Sequence, residues 1–367
     1  MTAIPDRLLL GPGPCNVSAP VREAMAAPLL GHLDPDFLAI VEHVKASLRT
    51  LFGTSNAVTF PVSGTGSAGM EACLVNVIEP GDSVLVVVQG VFGLRLANLA
   101  ERYGATVHRL EIPWGTALDA AALAAAAKQA RPRLICAVNG ETSTGVYQRF
   151  DGFAEVAREH NALLLADCVT SLAGMPVAID DWGVDLVYSG TQKCLACPPG
   201  LAPVSFSQRA LDRVAARRNP VPSFYLDVGE VMKYLDGSSG ARAYHHTAPI
   251  SMIYALDAAL AEIEAEGLSA RYARHAAAAQ ALIAGLGTLG LEPLVAEADR
   301  LHPLTTVKLP PGIDEAAIRS ALLTQHGIEI GAGLGPLAGQ VWRIGLMGGN
   351  ACQHSVDTLI AALRPLL

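Results

Sequence analysis

The chain has 367 residues, with 26 Lys and Arg against 34 Asp and Glu and a formal net charge of −8. That acidic balance lacks the basic footprint of a nucleic-acid binder, and 51% hydrophobic against 16% charged residues excludes a largely disordered chain. No stretch approaches the ~20 apolar residues of a membrane span, and Asp6 and Arg7 before a run of three leucines do not read as a secretory leader. Seven cysteines (Cys15, Cys73, Cys136, Cys168, Cys194, Cys197 and Cys352) follow no regular framework, which fits free thiols in a reducing, cytoplasmic setting.

The first twenty residues, with Gly11-Pro12-Gly13-Pro14, predict an arm with fixed turns. Strands are then expected at Ala57 to Val62, Val84 to Gln89, Leu134 to Val138, Leu163 to Ala166, Val184 to Ser189 and Pro203 to Ser207. Runs such as Val84 to Val88 are apolar at successive positions, as in strands covered on both faces of a mostly parallel sheet. Helices are expected at Ala68 to Ile78, where Pro80-Gly81 follow, and over the alanine-rich tract Asp119 to Ala130. One long helical stretch, Ser251 to Gly285, precedes strands at Leu304 to Leu309 and Val341 to Leu346 and helices at Asp314 to His326 and Gln353 to Leu363. The pattern reads as α/β, with an arm (1–20), a large domain (21–266) and a smaller C-terminal α/β domain (267–367).

Gly64-Thr65-Gly66-Ser67-Ala68-Gly69 follows a predicted strand and opens a predicted helix, the setting of a dinucleotide fingerprint. A dinucleotide site needs an acidic residue at the end of the next strand, and that strand ends in Gln89-Gly90. What remains is either a packing turn or a phosphate cradle of small residues at a helix N-terminus. Downstream, Leu163-Leu164-Leu165-Ala166 delivers Asp167 to the end of a buried strand, and Ser189-Gly190-Thr191-Gln192 delivers Lys193 after another. A lysine in such surroundings can form a Schiff base with an aldehyde, and a carboxylate can keep a pyridine nitrogen protonated. Phosphate loop, aspartate and lysine in this order form the constellation that pyridoxal phosphate requires.

Thr65-Gly66-Ser67, Gly140-Glu141-Thr142-Ser143-Thr144-Gly145, Asp167, Ser189-Gly190-Thr191-Gln192-Lys193, Tyr244-His245-His246-Thr247 and Arg343-Ile344-Gly345 together resemble the class V, fold-type I aminotransferases of the alanine–glyoxylate and serine–glyoxylate or serine–pyruvate group. The likeness runs from Gly11-Pro12-Gly13-Pro14 to the last strand. It implies a large domain on a mostly parallel seven-stranded sheet, a smaller C-terminal α/β domain and pyridoxal 5'-phosphate as cofactor. It makes Lys193 the Schiff-base lysine and Asp167 the pyridinium partner, with Thr142 near the ring hydroxyl and Gln192 on the phosphate beside Thr65, Gly66 and Ser67. Phe92 takes the place of the aromatic that stacks on the ring; mammalian members carry Trp there and His where Ser67 stands. Tyr244 and Thr247 would reach the phosphate in the neighbouring subunit, which implies a homodimer with shared sites. Arg343 would grip the substrate α-carboxylate, with Gly13 and His32 beside the substrate.

The activity so implied is ping-pong transfer of an amino group from alanine or serine to glyoxylate or pyruvate. Among the segments placed around the site, His32 is the one candidate for a second cation, so donors with a distal carboxylate are expected to be poor. An (S)-ureidoglycine–glyoxylate aminotransferase is the alternative, although members of that branch carry Gln where this chain has His32 and Asn where it has Tyr244. From another class, a nucleotide-binding or scaffolding α/β protein would leave Lys193 ordinary. Cys194-Leu195-Ala196-Cys197 has no second ligand pair for zinc and reads as structural thiols. His245 and His246 read as strand neighbours pointing apart, Glu141 as a pocket or orienting group, and Arg217-Arg218 as a solvated surface pair.

Overall fold

Val84 to Val88 are apolar at every position and all five are buried. In the structure, a computed structural model that describes residues 4–236 and 243–367, this run lies inside a seven-stranded sheet. The first three positions of the expected arm lie outside the described residues. In chain order the strands are β1 (Val58–Ser63), β2 (Ser83–Val88), β3 (Thr106–Glu111), β4 (Leu134–Val138), β5 (Leu163–Asp167), β6 (Leu186–Tyr188) and β7 (Leu201–Phe206). Their spatial order is β1-β7-β6-β5-β4-β2-β3. The pairs from β3 to β6 are parallel, and β7 runs antiparallel to both β6 and β1. Two reversals leave β1 pointing the same way as β6, so the C-terminal ends of β1, β4, β5 and β6 share one edge. β3 is absent from the sequence-based expectation because it closes the sheet at its rim, where Thr106, Arg109 and Glu111 are exposed and no buried-strand pattern is written.

The helices begin where a side chain satisfies the first free amides. In α2 (Pro35–Phe52), which follows α1 (Ala19–Met25), Asp34 accepts from the Asp36 N–H and Gly53 closes the last turn in the left-handed region. The helix α3 (Gly66–Val77) differs, since Thr65 makes no side-chain cap. Its C-terminal end is capped from afar, because Arg217 donates to the carbonyls of Val75, Asn76 and Ile78. Arg217 is therefore a structural cap and not a solvated surface group. After α4 (Val91–Arg102) the alanine tract forms α5 (Ala120–Ala130), capped by Asp119 on the Ala122 N–H. Three shorter helices follow, α6 (Phe153–Glu159), α7 (Gln208–Ala215) and α8 (Val228–Leu235).

The expected continuous helix from Ser251 to Gly285 is two helices, α9 (Ile250–Glu266) and α10 (Leu268–Gly287), broken at Gly267 with φ +79°. Both flanks are apolar-periodic, so the pattern runs through a break that only the positive φ enforces. At the break the Glu266 carboxylate receives Arg271 and Arg274, each at 2.6 Å. Arg271 also donates to the Ala173 and Cys194 carbonyls, and Arg274 to those of Gly348 and Ala351.

A second, antiparallel sheet contains β8 (Glu292–Pro293), β9 (Leu304–Lys308), β10 (Gly331–Ala332) and β11 (Val341–Gly345) in the order β8-β9-β11-β10. With α10, α11 (Glu315–His326) and α12 (Gln353–Leu363) it encloses a separate core around Leu282, Val307, Leu322, Trp342 and Leu359. The N-terminal arm joins this unit. Leu8–Leu9 pairs in parallel with Ile328–Glu329, and the Leu10 carbonyl accepts from the Gly345 N–H at 2.8 Å. A Cβ on Gly345 would lie 2.1 Å from the Gly11 carbonyl oxygen. Two backbones in contact cannot give way as a side chain can, so Gly345→Ala should displace the arm at a cost of about 1–3 kcal/mol. Thermal unfolding checks this, and a parental midpoint would mean that the arm is not locked at Gly345.

Candidate active site

Asp167 ends β5 beside Tyr188, which ends β6, and the two are partners in the strand register. The Tyr188 hydroxyl donates to Asp167 Oδ2 at 2.5 Å and the Val169 N–H to Oδ1 at 2.9 Å. These two donors are neutral, and the carboxylate is 2% exposed. Burial therefore dominates and pushes the Asp167 carboxyl up to about 7.

Lys193 lies in the turn after β6 and is 8% exposed. Its Nζ donates to the Pro12 carbonyl of the arm. Burial first, and the nearby Arg343 cation after it, bring the ammonium down to about 8. The arm can cross the lysine only because position 13 is glycine. Its φ is +99°, and a Cβ there would stand 2.6 Å from Lys193 Cδ. Gly13 thus shapes the site by the side chain it lacks.

Both groups open on a pocket of about 190 Å³ that is also lined by Thr65, Gly66, Ser67, Phe92 and Gln192. The uncapped start of α3 leaves first-turn amides for an external acceptor. Beside that loop, the buried Gln192 Oε1 has no hydrogen-bond partner among the described residues. Arg343, on β11, approaches from the second sheet. It is 7% exposed, and it donates from Nε to the Ala332 carbonyl at 2.7 Å and from Nη1 to the Thr142 carbonyl at 3.3 Å. Burial lowers the guanidinium pKa and the Glu141 carboxylate opposes that shift. Among the described residues no carboxylate forms an ion pair with Arg343, and its Nη2 makes no hydrogen bond, which leaves donor capacity for an anion.

His32, Tyr244 and Thr247 are not brought to this pocket. They form a second cluster, with His32 and Tyr244 rings 5.4 Å apart and the Tyr244 hydroxyl 3.3 Å from that of Thr247. His245 and His246 do not point apart, because their segment is not a strand. The two Nδ1 atoms meet at 2.7 Å, and His246 Nε2 lies 3.0 Å from the Ser63 hydroxyl. The Cys194 and Cys197 thiols are buried, and burial pushes each up to about 12.

Sequence reasoning missed Tyr188 and Arg95. Tyr188 could have been found from register, since two adjacent parallel strands that end together place their last residues side by side. Arg95 sits one helical turn after Phe92, with its guanidinium 4.9 Å from the ring centroid, and it lines the pocket. Arg95, which the sequence reading did not count, is a candidate cation at this pocket. The donor set fits pyridoxal phosphate. The uncapped helix start suits a phosphate, the buried Asp167 carboxylate suits a protonated pyridine nitrogen, and the buried Lys193 amine of reduced basicity suits an aldehyde.

The raised Asp167 carboxyl has a measurable consequence in the cofactor-free protein. Between the unfolded value of 3.8 and about 7 the folded state holds a proton that the unfolded state has lost, so this residue's contribution to stability falls across that window as pH rises. The penalty is complete above it. Asp167→Asn should raise the unfolding temperature of the cofactor-free protein at pH 8 and change it less at pH 4. An equal shift at both pH values would mean that ionisation is not the cause.

The Aminotransferase class-V family model matches residues 23–353. A crystal structure of an alanine–glyoxylate aminotransferase from Nostoc sp. superposes with a TM-score of 0.97 at 47% identity, covering 99% of this chain and 96% of that one. The (S)-ureidoglycine–glyoxylate transaminase of Bacillus subtilis is 38% identical over 99% of this chain and 91% of its own. For the alanine–glyoxylate aminotransferase of Drosophila melanogaster the figures are 40%, 98% and 92%. A scaffolding or nucleotide-binding role is set aside by these matches, and the chain belongs to the class-V aminotransferases, enzymes that depend on pyridoxal phosphate.

Proposed function

We propose that this enzyme moves an amino group from alanine or serine to glyoxylate or pyruvate, as a cytoplasmic homodimer with sites shared between subunits. The observation that carries the reading is the pocket shared by buried Asp167 and Lys193, with the buried Arg343 guanidinium near enough to Lys193 to lower its basicity. The full-length similarity to the Nostoc enzyme supports the choice of substrates. Phe224 and Tyr244, 63% and 64% exposed, and Tyr225 gather around His245, His246 and His32. An aromatic surface of this kind is seldom left open to water, which favours a second subunit over it and a role for Tyr244 and Thr247 in the partner's site. The same reading divides the chain into an arm (1–20), a large domain (21–266) and a small domain (267–367).

Pyridoxal phosphate, when bound, supplies an aldehyde that carries the amino group and a ring that accepts the electron pair left by the departing α-proton. Lys193 would hold the aldehyde through Nζ and would serve as the base. With its basicity lowered to about 8, a useful fraction is neutral near pH 7 and takes the α-proton at Nζ. Asp167 would pair with a protonated ring nitrogen, a partner beside which its carboxyl would be held ionised. The first turn of α3, Ser67 and Gln192 would hold the phosphate, and Phe92 and Thr142 would seat the ring. Arg343 orients the α-carboxylate through its fork, which fixes the Cα–H bond toward Lys193.

Lys193→Ala should leave a folded protein and abolish turnover, because no neighbouring amine replaces the lost base. Turnover of alanine and glyoxylate at about a tenth of the parental rate would be too fast for a variant without its catalytic amine. The near-equal similarity to the B. subtilis enzyme keeps (S)-ureidoglycine as the second reading of the donor. A matrix of kcat/KM over alanine, serine, aspartate, glutamate and (S)-ureidoglycine against glyoxylate, pyruvate and 2-oxoglutarate separates the two. Alanine or serine with glyoxylate should lead. A lead for 2-oxoglutarate would assign Arg95 to a distal carboxylate and overturn the small-substrate reading.

A further inference from the structure

Helix α4 starts at Gly90, which has no side chain to cap it. Its first three amides are nevertheless satisfied by another segment. The Val91 N–H donates to Ser143 Oγ at 2.9 Å, and the Phe92 and Gly93 N–H groups donate to Glu141 Oε2 at 3.1 and 3.2 Å. The other carboxylate oxygen, Oε1, accepts from the Ser143 N–H at 3.1 Å and the Ser143 hydroxyl at 2.5 Å. Glu141 is fully buried, and its charge meets amides and a helix N-terminus instead of a basic side chain. Glycine at position 90 is a condition of this arrangement, since a Cβ there would lie 2.4 Å from Glu141 Cδ and from Ser143 Oγ.

We infer that Glu141 is a positioning residue, a carboxylate that locks the start of α4 to the 141–145 loop and so fixes Phe92 and Thr142 relative to each other. Its reach extends to the substrate side, because the Thr142 carbonyl accepts from Arg343 Nη1. A cap from within α4 would satisfy the same amides without holding the loop. Here one carboxylate ties together the residues assigned to the cofactor ring and the residue assigned to the substrate carboxylate. The inference rests on the aminotransferase reading above for the roles of Phe92, Thr142 and Arg343.

Glu141→Gln keeps the shape, removes the charge and turns an NH₂ group toward N–H donors. In the cofactor-free variant, amide exchange at Val91 to Gly93 should quicken about tenfold or more, the effect of losing a charge-assisted hydrogen bond. Titration with pyridoxal phosphate, followed by absorbance, should show affinity weakened about tenfold, and KM for the amino donor should rise more than kcat falls. A lower melting temperature with parental cofactor affinity and KM would reduce Glu141 to a plain structural cap and overturn the inference. If Glu141→Gln does not fold, Ser143→Ala removes the Val91 cap and the hydroxyl's hydrogen bond to Glu141 Oε1 while keeping the carboxylate on the Phe92 and Gly93 amides, and it should give smaller changes in the same readouts, with parental values again overturning the inference. A parent that fails to bind pyridoxal phosphate would sink the aminotransferase reading itself, whereas a parent and variant that bind alike would sink only the role of Glu141.

Discussion

Two opposite charges held out of water at the C-terminal edge of one sheet govern how the rest of this protein is arranged. A lone buried carboxylate or ammonium is costly to keep ionised, and the chain does not cancel Asp167 with Lys193 in a direct ion pair. Asp167 is given a tyrosine hydroxyl and one amide, and Lys193 one carbonyl from the arm. Both are left short of full satisfaction, so each titrates close to neutrality. A cofactor that set a basic ring nitrogen at Asp167 and an aldehyde at Lys193, as proposed above, would relieve both deficits at once. The site is thus built around a shortage that its ligand fills.

Helix N-termini show the same economy in two forms. α3 begins uncapped beside the pocket, where its first amides are left to an acceptor from outside the helix. α4 begins uncapped by its own sequence, but a buried glutamate from a distant loop occupies the equivalent place. The first arrangement leaves room for a ligand; the second excludes one and transmits order between segments.

Much of this was legible in the residues. Fully buried strands write themselves as apolar runs, which is why β2, β4 and β5 are found within a residue of their expected limits. Asp167 stands out because it follows such a run directly, and Lys193 because it comes in a turn of small and neutral residues a few positions after another strand. The rim strand β3, half exposed, carries no such signal. The break at Gly267 is hidden because the periodicity of α9 and α10 continues through it. Tyr188, Arg95 and the Pro12 carbonyl depend on strand register, helix facing and the path of the arm, and none of these is local in sequence. The capping work of Glu141 was invisible for a further reason, since the amides it serves lie about fifty residues earlier.

The Glu266 junction links the two halves mechanically. Arg271 and Arg274 leave α10 one turn apart and grip opposite parts of the molecule, the Cys194 carbonyl beside the lysine and the Gly348 and Ala351 carbonyls beyond β11. Both guanidinium groups share one carboxylate. A rotation of the second sheet that carried Arg343 toward or away from the pocket would therefore load the peptide next to Lys193 through a lever only one helical turn long. The segment just beyond the strand of Arg343 and the peptide that follows Lys193 are tied to the same helix.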